Sequence, residues 1–202
     1  MNIFYLHQLA PVAAAMHCDK HVGKMLIESC QLLATAHHVH GNGDAVSYKS
    51  THVNHPSAIW TRQSRLHYNY VVTLAIYLGR EFFIRYGKNH KSRDVLVAEL
   101  LKPPPAMYNM SAIWSPPPLA MPDQFKSNDP IQSYRRYYAS KSATMPLVYH
   151  RGERPMPIWL SDLINEQQSA ILEAASVSIE STVLYIYSTM TLSLRKKNLM
   201  MR

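Results

Sequence analysis

Seven of the chain's 13 prolines fall between Pro103 and Pro122. No helix or central strand runs through such a stretch, because each proline lacks an N–H donor and fixes φ. Regular structure is therefore confined to a long block before it and a shorter one after it. The stretch itself is either a linker or a loop wrapped across a surface. Tyr108, Ile113, Trp114 and Leu119 within it favour wrapping.

The flanking blocks carry helical signals. Residues 2–6 read as a short strand or extended arm. Pro11 then opens a run of helix formers that reaches about Val39 and is ended by Gly41-Asn42-Gly43-Asp44. Asp19 is an alternative helix start after a break near Cys18, since Asp is favoured at caps and disfavoured inside. A second helix begins at Asn54-His55-Pro56-Ser57 and keeps its period through Trp60, Tyr68, Val72, Ile76 and Phe83 to Tyr86, where Gly87 closes it. Ser92 is placed to cap a shorter helix, Arg93–Lys102, and Asp129-Pro130 to start another over Ile131–Lys141.

These signals predict a mainly α protein. A single helical domain spans 1–159, with a short N-terminal extended segment and the proline-rich wrapping loop. A C-terminal appendage follows over 160–202, with Ser161–Ala175 reading as helix and Val177–Leu194 as strand or helix. No repeat of 20–50 residues is visible, which argues against a solenoid.

At 202 residues and 47% hydrophobic composition, the chain can bury a core. Its formal charge of +8 points to an anionic partner, nucleic acid first. The excess is concentrated: residues 68–159 hold twelve Lys/Arg against six acids. Cys18 and Cys30, on one continuous helix, stand about 18 Å apart and cannot bridge. They read as reduced thiols of an intracellular, cytoplasmic protein. The N-terminal segment lacks the basic flank of a secretory signal. Ser178–Leu194 falls short of a membrane span, so no membrane partner is expected.

Nine of eleven histidines lie in the first 67 residues. On a continuous helix, His17, His21, Lys24, Glu28, Gln31, Thr35 and His38 project from one stripe of an otherwise apolar cylinder. That stripe is either a solvated edge or the lining of a cleft. As a cleft it offers His21, Glu28 and His37 as acid/base groups and Lys20 and Lys24 for anions. The His17/His21 spacing also suits two ligands of one metal ion, completed by His52, His55 or Glu28. Cys18 after His17 breaks the hydrolytic-zinc pattern, so the site set carries no metal, and no cofactor is identified.

A second cluster, His52-Val53-Asn54-His55-Pro56-Ser57 followed by Trp60 and Arg62, sits at a helix start. There, backbone N–H groups, His52, His55 and Arg62 can grip a phosphate; the plainer alternative is capping and packing. Two strings interleave cations with rings, Arg85-Tyr86-Gly87-Lys88-Asn89-His90-Lys91 and Tyr134-Arg135-Arg136-Tyr137-Tyr138. They suit phosphates and stacked bases. Arg85, Lys88 and Arg135 join the candidate binding set. P-loop, Rossmann, α/β-hydrolase and zinc-finger signatures are missing.

A run of linear motifs carries a resemblance: Met1-Asn2-Ile3-Phe4-Tyr5-Leu6, Cys18-Asp19-Lys20-His21-Val22, Lys24-Met25, Glu28, Thr35-Ala36-His37, Thr51-His52, Asn54-His55-Pro56-Ser57, Ile59-Trp60, Arg85-Tyr86-Gly87-Lys88, Pro116-Pro117-Pro118, Ala120-Met121-Pro122-Asp123 and Tyr134-Arg135. Over about 1–159 the chain resembles a family of small tailed-phage proteins of uncharacterised activity. Gly23 stands where that family has an apolar residue, and the segment after Trp159 departs from it. The resemblance implies phage or prophage origin and little chemistry. The residues themselves favour a DNA- or nucleotide-processing enzyme. Other readings are a non-catalytic protein that binds nucleic acid or a host component, and a metal-dependent phosphohydrolase.

Overall fold

The computed structural model describes residues 1–175. They contain helices and irregular chain, with no β-strand among the described residues. Met1–Leu160 forms one compact unit, and a second begins at Ser161. In the second unit, residues 161–175 are helical, with Ile171 and Leu172 exposed. Val177–Leu194 lies outside the described residues.

The first unit is built from six α-helices: α1 (Ala10–Ala15), α2 (Asp19–Val39), α3 (Pro56–Gln63), α4 (Arg65–Tyr86), α5 (Lys91–Val95) and α6 (Pro130–Ala139). α2 and α4 form the central pair, with α1 against α4 and α3 against both. Met25, Leu26, Leu32 and Leu33 of α2 and Leu74 and Leu78 of α4 are sealed from solvent. Each contributes about 1.5–3 kcal/mol of transfer free energy.

The break at Cys18 is real, and its cause is long-range. Cys18 is extended (φ −67°, ψ 162°) with no local cap. Its N–H donates instead to Tyr138 Oη at 2.8 Å, and Asp19 N–H to Val148 O at 2.9 Å. Asp19 is thus the first residue of α2 rather than its cap, and His17 lies off the α2 register. The single helix expected over 56–86 is also two. Ser64 is extended (φ −151°, ψ 145°) and caps α4 by accepting the Leu66 N–H at 3.2 Å. Gly87, at φ 66°, ends α4 in the left-handed conformation that favours glycine.

The helix expected over Arg93–Lys102 starts two residues earlier, with His90 rather than Ser92 as cap. It widens to π geometry over Leu96–Leu100. The carbonyls left free beyond are taken up from outside: Leu100 O accepts from Tyr68 Oη at 2.9 Å, and Lys102 O from His37 Nε2 at 3.2 Å. Asp129 caps α6 as expected, accepting from Ile131 and Gln132 N–H.

The proline-rich segment does wrap, in part on the anchors expected: Trp114 keeps an exposed edge but packs against the rings of Trp60, His67 and Tyr70, and Leu119 is half-buried. Met107, Pro117 and Met121 are buried, whereas Tyr108 and Ile113 are exposed. The N-terminal arm is extended without being a strand, and Ile3, Phe4, Tyr5 and Leu6 are core residues. Both cysteines are free and buried, and burial raises Cys30 to about 12. Among the described residues no helix is long and apolar enough to cross a membrane.

Candidate functional site

The polar stripe of α2 neither faces open water nor lines one continuous cleft. Two segments lie across it. The N-terminal arm covers its first turns, where Phe4 stacks on His21 with ring centroids 5.5 Å apart. The loop after α2 covers its end, where Thr35 Oγ1 donates to Thr51 O and accepts the Thr51 N–H. Between the two covers Lys24 and Glu28 remain as a pair, and Glu28, like His52, lies near enough to His55 to act on its charge.

Glu28 is the centre of that group. One oxygen accepts the Asn2 N–H at 2.8 Å and lies 4.0 Å from the Met1 ammonium; the other is 3.8 Å from Lys24 Nζ. Its side chain is 16% exposed and that of Lys24 59%, so a mostly enclosed carboxylate sits beside an accessible ammonium. The Asn2 carboxamide donates onward to Ala120 O at 3.1 Å, which ties the arm to the end of the proline-rich segment.

His55 caps α3. Its Nδ1 accepts the Ser57 N–H at 3.1 Å, so the neutral ring carries its proton on Nε2. Burial lowers its pKa, as do the Met1 ammonium and His52, against a smaller opposing effect of Glu28. Near neutral pH the ring is therefore an uncharged donor rather than a base, because its one lone pair is committed to the helix. His52 is exposed, and its Nδ1 lies 2.7 Å from Thr51 Oγ1. Phe4 (φ 46°), His52 (φ 49°) and Glu153 (φ 53°) hold left-handed backbone without being glycine, and His52 belongs to this group. Such strain persists only where surrounding structure enforces it.

The remaining expected site residues lie elsewhere. His21 is buried, with Nδ1 2.9 Å from Tyr138 Oη. Burial, then the charges of Lys24, Lys141 and Lys20, lower it to about 4. His37 has both ring nitrogens in use. Nδ1 accepts from Asn42 Nδ2 at 2.8 Å, and Nε2 faces Tyr68 Oη at 2.9 Å and Lys102 O. Arg85 is not a surface cation: its side chain is fully buried and bonded to Glu81, Asp19, His17 O and Ala15 O. Arg62 donates to Val53 O at 2.6 Å and Arg135 to Leu6 O at 3.0 Å, and burial lowers both. Lys20 and Lys88 are exposed.

The metal-ligand pair does not assemble. His17 donates Nδ1–H to Ala13 O at 2.7 Å, and burial, His21 and Arg85 bring it to about 3. No group of three or more His, Cys, Asp or Glu suited to hold a metal ion occurs among the described residues. Of the second aromatic string, Tyr134 and Tyr138 are buried. Tyr137 is half-buried under Lys141 Nζ, 3.8 Å from its ring centre.

Asn2 and Tyr138 were missed by sequence reasoning. Asn2 is the one polar side chain in the arm Met1–Leu6, and that anomaly was its signal. Tyr138 gave none, since its role depends on packing between segments 120 residues apart. Comparison with protein families, curated proteins and solved structures finds no match.

Proposed function

We propose that this chain is a phage-type enzyme that processes DNA or a nucleotide by bond cleavage or group transfer at a nucleobase or phosphate, acting in the host cytoplasm. One observation carries the reading: a mostly enclosed Glu28 carboxylate stands beside an accessible Lys24 ammonium and acts electrostatically on His55, an uncharged ring that offers Nε2–H. A base, an anion holder and a donor in one place are the parts that hydrolysis at a nucleotide needs. Lys24 binds a phosphate. Glu28 takes a proton from water as its oxygen bonds to the carbon or phosphorus under attack. His55 donates a hydrogen bond to the departing atom as its bond breaks, and the proton held by Glu28 returns to the leaving group. The left-handed backbone at His52 supports the same reading, because strain of this kind gathers at functional sites.

The test is turnover of nucleosides, nucleotides and oligonucleotides, modified and unmodified, by the wild-type chain and two variants. Glu28→Gln keeps the Asn2 bond and removes the base. His55→Asn keeps an oxygen acceptor at the α3 cap and removes the imidazole donor. Loss of turnover by about 100-fold or more in each is expected. Activity unchanged in both removes the assignment.

A further inference from the structure

A second feature lies on the opposite side of α2. Gly23 and Cys30 face α4 and α5: a Cβ at Gly23 would stand 3.2 Å from the Phe82 ring, and Cys30 Sγ is 3.5 Å from Ser92 O. Glu28 is two residues from Cys30 and so about 160° around the helix from it. On the α4–α5 side is a groove of about 480 Å3 lined by Ile76, Gly79, Arg80, Phe83, Asn89 and Arg93. Ile76, Arg80 and Phe83 share one face of α4, and Phe83 is 52% exposed. Gly79 leaves room for the Arg93 stem, which a Cβ there would meet at 3.5 Å.

The two guanidiniums are what set this groove apart. Arg62, Arg85, Arg135 and Arg154 all donate to acceptors within the protein. Arg80 and Arg93 make no hydrogen bond or ion pair among the described residues, and they line the same groove as an exposed phenyl ring. Lys88 and Lys91, also exposed, flank Asn89. No acidic residue occurs from Phe82 to Arg93, and Asp94 is the one acid of α5.

We infer that this groove binds single-stranded nucleic acid, with one unpaired base against Phe83 and neighbouring phosphates on Arg80 and Arg93. Guanidinium forks match phosphate geometry, and an exposed ring is a stacking platform for any base. A duplex hides its base faces from Phe83. The groove has the size that holds one small ligand unit, and a docked peptide helix would need more apolar anchors than Ile76 and Phe83 supply. Asn89 offers a donor and an acceptor to a base edge. The inference does not rest on the Glu28 centre.

The test is fluorescence anisotropy of a labelled oligo-dT with the full chain across a salt series. A duplex and a poly-glutamate peptide serve as competitors. Preference for the single strand over the duplex is expected. Phe83→Ala should weaken the single strand about fivefold or more. Arg80→Ala with Arg93→Ala should weaken it tenfold or more and reduce the slope of log K against log salt by about 1.4, as for two lost contacts. Glu28→Gln should bind as wild type, which separates this groove from the catalytic proposal. Arg80, Phe83 and Arg93 are all solvent-facing, so a circular dichroism spectrum and melting point like wild type are expected of each groove variant. No nucleic-acid binding, binding indifferent to these substitutions, or displacement by poly-glutamate as effective as by oligo-dT would each overturn the inference.

Discussion

Arg85 Nη1 and Asp19 Oδ1 lie 3.1 Å apart across 66 residues of sequence, both side chains closed from solvent. The same guanidinium bonds Glu81 and the carbonyls of Ala15 and His17, so it serves as the C-terminal cap that α1 lacks. Asp19 Oδ2 in turn accepts the His150 and Arg151 N–H groups. One cation thus joins α1, α2, α4 and the segment near 150. Removing it leaves buried Asp19 with backbone N–H donors but no cation, Glu81 with Arg154 alone, and the Ala15 and His17 carbonyls unanswered. Arg85→Ala should therefore cost about 3–5 kcal/mol in urea unfolding. Arg154→Ala should cost less, because Arg154 is partly exposed and Glu81 keeps Arg85. Equal losses would show that the network is not organised around Arg85.

His17 and His21 make stability depend on pH. Their folded pKa values, about 3 and about 4, lie below the ordinary 6.5. The unfolded chain therefore binds more protons than the folded one below 6.5. Their contribution is complete above pH 6.5 and is lost as pH falls through 4 toward 3, at about 1.4 kcal/mol per pH unit per group. Urea midpoints measured from pH 7 to pH 4 should fall steeply. In a His17→Leu, His21→Phe double variant the same series should be flatter, and a slope identical to wild type would refute the claim.

Much of this architecture was readable from sequence, and the failures share a cause. Gly87 and Asp129 act through bonds within their own turn, so local chemistry located both helix ends. The break before Asp19 depends on Tyr138 and Val148, more than 100 residues away, and the local preference of Asp for a helix start offers it only as an alternative to a continuous helix. The same holds at the site. Lys24 and Glu28 are one helical turn apart and could be paired by spacing alone. Arg85 stood out as a surface cation in a basic string. Whether a guanidinium faces solvent or two distant carboxylates is a tertiary fact.

His37 illustrates the distinction between titratable and catalytic. Its ring closes three gaps at once: the Asn42 carboxamide, the Tyr68 hydroxyl and the carbonyl of Lys102. His37→Ala should cost about 2–4 kcal/mol through lost packing and unsatisfied partners. Specific activity per folded molecule should stay within about twofold of wild type. Activity lost ahead of stability would return His37 to the catalytic group.

His52 should separate stability from function. Its backbone sits at φ 49°, a conformation that costs a side-chain-bearing residue about 1 kcal/mol and glycine almost nothing. Its ring is exposed and makes one short bond, to Thr51 Oγ1, which water can replace. His52→Gly relieves the strain while widening the unfolded ensemble, so the balance is a gain of about 0.5 kcal/mol or no change. A purely structural loop would then have no reason to keep histidine there. If the imidazole instead serves the Glu28 centre, the same variant folds as well as wild type and turns over substrate at least about tenfold more slowly. Thermal melts and turnover on one preparation decide between these outcomes. Lower stability with unchanged turnover would show that the ring holds the loop and takes no part in the chemistry.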